Sequence, residues 1–121
     1  MNVDMQRVSS GRWRDRAVWI VGASAASDTT APQFWVDVER NVVVRMILAA
    51  TPPTVMDIRL DNYVPLAGGW LATKIEMYIA GSPRQFEEYS DWKGNVELSP
   101  ALFDVATWTS APHWATRRPK S

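Results

Sequence analysis

The residues able to do chemistry in this chain are few and scattered. A single histidine, His113, lies in Ala111-Pro-His-Trp-Ala115, and the nearest acid in sequence is Asp104. That pair could serve a hydrolase only if a third group oriented the ring and a nucleophile stood beside it. No motif marks either. Serine never occurs in a Gly-x-Ser-x-Gly setting, and Gly68-Gly69 is followed by no Lys-Ser/Thr and no helix, so it reads as a turn and not a phosphate loop. Cysteine is absent, which removes thiol catalysis, disulfides and thiolate metal sites together. With one histidine, zinc would need three carboxylates, an uncommon set. Asp57, Asp61, Glu76, Glu87, Glu88 and Asp91 fall on alternating positions, where a solvated sheet face places acids anyway. The sequence therefore predicts a protein that is not an enzyme and needs no cofactor or metal.

Charge excludes a further class. Thirteen basic and thirteen acidic residues balance, whereas a nucleic-acid binder concentrates a basic surplus on one face. The basic clusters, Arg12, Arg14 and Arg16 and then Arg117, Arg118 and Lys120, read as solvated ends. No stretch approaches the roughly 20 apolar residues of a spanning helix. Residues 1–15 show no apolar core of a signal peptide.

The elements that must position any site are strands. Gln33-Phe-Trp-Val-Asp-Val38 and Val42-Val-Val-Arg-Met-Ile-Leu48, joined by Glu39-Arg-Asn41, predict a tight antiparallel hairpin. Its faces are Phe34, Val36, Val38, Val42, Val44 and Met46 on one side, and Trp35, Val43 and Ile47 with Asp37 and Arg45 on the other. Neither is cleanly polar, so something must cover the second face at least in part. Further strands are expected near 11–13, over 16–22, over 55–63, over 70–80 and over 84–92. Turns are expected at 64–69 and 81–83, and a short helical turn near 101–104 with Ser99 as its cap. Seven tryptophans suit either a sheet core or ligand contact. The expected organisation is a polar segment over 1–15, one antiparallel β domain over 16–114 and a polar tail over 115–121.

Several segments, read in order, resemble the outer-membrane lipoprotein-sorting superfamily. They are a strand ending at Gly22, then Pro32-Gln-Phe-Trp-Val-Asp37 with Glu39-Arg40, Asp57-Ile-Arg-Leu-Asp61 with Tyr63, Gly68-Gly-Trp70 into Lys74-Ile-Glu-Met77, and Leu98-Ser-Pro-Ala-Leu-Phe103. The resemblance covers about residues 16 to 114 and corresponds to the C-terminal half of such a carrier. It implies a curved antiparallel meander forming a half-barrel, with a lipid or a lipoprotein acyl chain held on the concave face, in the periplasm or cell envelope. The residues then expected to line the ligand are Trp35, Val43, Ile47, Ile58, Leu60, Ile75 and Met77. A Trp35→Asp change should abolish binding and leave the sheet intact. The alternative is a structural or interaction domain that pairs through its sheet edge with another copy or with a missing N-terminal half.

Overall fold

The computed structural model describes residues 2–49 and 54–107. Seven strands follow one another: β1 (Val8–Trp13), β2 (Arg16–Val21), β3 (Gln33–Asp37), β4 (Val43–Ala49), β5 (Val55–Leu66), β6 (Gly69–Ile79) and β7 (Ser82–Glu88). Each pairs antiparallel with its sequence neighbours, in the order β1-β2-β3-β4-β5-β6-β7. The meander and the antiparallel sense agree with the sequence. The half-barrel does not: β1 and β7 are both edges, and the sheet is neither closed nor strongly curled.

Three hairpins close through two-residue turns in which both central residues have positive φ: Arg14 and Asp15, Ala67 and Gly68, Ala80 and Gly81. That geometry matches the right-handed twist of the flanking strands. It also moves two boundaries. β5 runs on through Pro65, which pairs with Trp70, where a turn is expected from sequence. The proline is tolerated because β4 pairs with β5 only at residues 55–59, so this end of β5 has an open side. Pro83 sits likewise in β7, an edge strand. Ser99 caps the short 3₁₀ turn Pro100–Phe103, its side chain accepting from the Ala101 N–H.

The hairpin of β3 and β4 carries the feature that sequence periodicity misses. Trp35 pairs with Arg45 but Val36 pairs with Val43, so Val44 is an extra residue in β4. Such a bulge breaks the two-residue alternation. Val43 therefore stands opposite Val36, while Val44 joins the buried cluster of Val18, Ile20, Ala23 and Trp35. The sequence reading places the two valines the other way round.

Gly22 shows how tightly the loop after β2 is held. Its φ is +106°, and a Cβ there would lie 2.4 Å from the carbonyl oxygen of Pro32 and 2.9 Å from Cα of Gln33. Backbone on both sides cannot yield as a flexible side chain would. Gly22→Ala is expected to lower the urea midpoint by the equivalent of about 2–3 kcal/mol; an unchanged midpoint would show that the loop can move aside.

Candidate functional site

Residues paired across an antiparallel ladder share a face, so the register sorts every strand side chain. Face A carries Trp13, Arg16, Val18, Ile20, Gln33, Trp35, Asp37, Arg45, Ile47, Asp57, Arg59, Asp61, Lys74, Glu76 and Tyr78. Face B carries a row crossing the whole sheet, Val8–Val21–Phe34–Met46–Ile58–Met77–Gln85. Beside it lie Trp19, Val36, Val43, Leu48, Met56, Leu60, Leu71, Ile75 and Ile79.

Face A is partly covered by the chain's own side chains, with a cavity of about 390 Å³ left between Arg45, Asp57, Arg59 and Tyr78. Trp35, 3% exposed, donates its indole N–H to Oε1 of Gln33 at 2.8 Å. The Gln33 amide in turn donates to the carbonyls of Asp28 and Ala31 at 2.6 and 3.0 Å. Trp13 meets Trp35 edge-on, with ring centroids 5.5 Å apart. The Arg45 guanidinium lies over both rings, at 4.9 and 4.7 Å. Arg59 covers Tyr78 at 4.1 Å.

Asp57 holds both arginines, with Arg45 donating twice at 2.9 and 2.8 Å and Arg59 at 3.3 and 3.0 Å. Burial is the largest influence on the Asp57 carboxyl and pushes its pKa up. The hydrogen bonds from Arg45 and Arg59 together outweigh it and leave the pKa below the usual range. At the hairpin tip, Arg14 reaches Asp61 at 2.8 Å and Glu76 at 3.8 Å. Burial raises the pKa of Asp61 against the pull of Arg14. Its Oδ2 and the Trp13 Nε1 have no hydrogen-bond partner, beside a cavity of about 240 Å³. These groups act as a brace, with charges paired across strands in Arg45–Asp57 and Arg14–Asp61 and along one strand in Arg59–Asp57.

Face B is the opposite. All eight charged residues of β2 to β6 (Arg16, Asp37, Arg45, Asp57, Arg59, Asp61, Lys74 and Glu76) lie on face A, so the other side of those strands has no charge. Its apolar side chains are half-buried by lateral contact with one another, and Trp19 is 50% exposed. The extensive contacts of the described strands run between sheet neighbours. Leu98, Phe103 and Val105, after β7, point into solvent.

The seven residues expected to line one trough divide between the two sides. Trp35 and Ile47 are core on face A, whereas Val43, Ile58, Leu60, Ile75 and Met77 are together on face B. The signal that separates them was present in the sequence as the alternation of charge along β5 and β6. The β4 bulge hid it in the preceding hairpin. Among the described residues no group of three or more His, Cys, Asp or Glu could hold a metal ion. Asp104 is exposed and accepts from the Ala106 N–H at 3.0 Å, and His113 lies outside the described residues. No helix among those residues is long and apolar enough to cross a membrane.

What the described residues define is an open antiparallel sheet, braced by charge on one side and apolar on the other. No known protein family, curated protein or solved structure matches the chain. The resemblance to lipoprotein-sorting proteins rests on the quoted segments alone.

Proposed function

We infer that this chain is a non-catalytic interaction domain that binds another polypeptide through face B. The observation that carries the reading is the complete segregation of charge: eight charged side chains on one side of β2 to β6 and none on the other. A solvated sheet face would be polar, and contiguous apolar patches of this kind mark association sites.

Covering the exposed third or less of a dozen such side chains contributes roughly 0.5 kcal/mol each, on the order of 5 kcal/mol in all, which suits a weak, reversible complex against association costs of about 4–15 kcal/mol. The β7 edge is a poorer partner surface, because Pro83 cannot donate and Arg84, Glu87 and Glu88 surround it with charge.

Methionine footprinting tests the reading in the chain's own cell extract. Met46, Met56 and Met77 are on face B, while Met5 is 63% exposed in the N-terminal segment. Peroxide should oxidise Met5 at least about tenfold faster than the other three if face B is covered, since burial protects the thioether. Protection that disappears after delipidation alone would replace a polypeptide by a lipid. Near-equal rates at all four would remove the reading.

A further inference from the structure

Building on face B as a binding surface, we propose that its partner is a second copy of this chain, packed face to face into a two-layer β-sandwich. Three features of the surface point to self-association. The first is its extent. From β2 to β6 the apolar field is about 20 Å wide and about 20 Å along the strands, taking roughly 4.8 Å between strands and 3.3 Å per residue. That footprint of roughly 400 Å² is about half the ~800 Å² per partner of a standard interface, which suits a reversible contact between copies.

The second feature is composition. The centre of the field is the row Phe34–Met46–Ile58–Met77. Apolar groups are complementary to themselves, and methionine adapts to an imperfect fit. Nothing in that centre would select a charged partner.

The third is the placement of charge at the margins. Arg12 pairs with Ala17 and so lies on the face B side of β1. Glu87 pairs with Ile75 and lies on the face B side of β7. One edge of the field thus ends in a cation and the opposite edge in an anion. A two-fold axis running between the sheets along the strand direction inverts the strand order, setting β1 of one copy over β7 of the other. The Arg12 margin then meets the Glu87 margin twice. An apolar centre with an opposite-charge rim is the usual anatomy of an interface, and here one molecule supplies both halves, as a two-fold contact requires.

The experiment is sedimentation equilibrium of the purified, delipidated full chain at micromolar concentration, with strand content followed by circular dichroism. The wild-type chain should be a dimer. Ile58→Lys, which places two like charges at the centre of the contact, should be a monomer with its strand content retained. Arg12 also donates to the Asp15 carbonyl and Glu87 also accepts from Gln85 and Tyr89, all at exposed positions, so Arg12→Glu and Glu87→Arg should keep their strand content by circular dichroism; each should weaken the dimer about tenfold at low salt. The double exchange should restore it.

A monomeric wild-type chain overturns the proposal. So does a dimer that folded Ile58→Lys leaves intact, which would place the contact at an edge. If Ile58→Lys does not fold, the rim exchange decides: no loss in the single variants, or no recovery in the double, rejects the arrangement. A monomeric pure chain whose face B methionines are still protected in the cell extract would reject the second copy and keep the interaction reading.

Discussion

Asp37→Ala is expected to remove about 3 kcal/mol or more of stability, among the largest effects of any charged residue in the chain. Asp37 is 1% exposed at the end of β3. Its carboxylate accepts from Arg16, by Nε and by Nη2, and from the backbone N–H groups of Glu39 and Arg40 at 3.0 and 2.9 Å. One side chain thus ties β2 to the turn between β3 and β4. Alanine would leave two turn amides without their acceptor and the Arg16 guanidinium with Glu39 alone, at 3.1 Å. Arg16 is one-third exposed and can turn toward water, which keeps the loss nearer 3 than 5 kcal/mol. Asp37→Asn retains a carbonyl for the turn and should cost less. Urea denaturation measures both, and equal midpoints for Asp37→Ala and wild type would show that the pair contributes nothing.

The same carboxylate makes an acid signature. The hydrogen bond from Arg16 is the main cause that lowers its pKa from 3.8 to about 2. A carboxyl whose folded pKa is depressed binds its proton more readily when unfolded. Its contribution is complete above the unfolded value, near pH 4, and is lost as the pH falls through the folded value, near 2. The loss amounts to about 2 kcal/mol. Asp57, also held below its ordinary pKa, adds in the same direction. Asp61 opposes them, because its pKa is raised by burial.

How much of this was legible in the sequence depended on whether neighbours or distant strands decide a residue's surroundings. The strand pattern and its order follow from local signals, and the alternation of Met56, Ile58 and Leu60 with Asp57, Arg59 and Asp61 survives intact in β5. The bulge at Val43 and Val44 did not announce itself, since three valines in a row look the same in either register. Two turns use alanine at a positive-φ position, Ala67 and Ala80, where asparagine would have marked the site. That shifted the strand ends by two or three residues.

The identity of the covered face was the larger loss. Asp57 reads as a solvent-facing charge and Arg45 as part of a mixed face in need of a cover, and their side chains are only 14% and 13% exposed. Their partners come from other strands, and Trp13, from the first hairpin, lies against them. A mixed face needs a cover, as the sequence shows, but that cover is the chain's own arginines and tryptophans. The apolar face left over is the other one.

Trp35 makes that distinction measurable. Trp35→Ala should lower stability by about 3–5 kcal/mol, from three causes. The indole fills the buried cluster with Val18, Ile20 and Val44. Its N–H is the donor to Gln33 Oε1, and Gln33 is 0% exposed, so the orphaned acceptor adds about 1–3 kcal/mol by itself. Its ring is also the platform for Arg45, whose charge would lose a favourable neighbour worth about 0.5–2 kcal/mol. These terms overlap and do not sum. A domain at the lower end of the usual 5–15 kcal/mol would then keep only about 0–2 kcal/mol. Trp35→Asp, which places a charge among those residues, should therefore dissolve the sheet, contrary to the expectation of an intact sheet with an empty site. Ile58→Lys makes the contrast, because its side of the sheet is open and a lysine there can reach solvent; the loss to the isolated fold should stay near 1 kcal/mol. Thermal melts of the two variants side by side give the answer. If Trp35→Ala melts with the wild type while Ile58→Lys collapses, the core lies on face B, and the partner surface would have to be sought on face A.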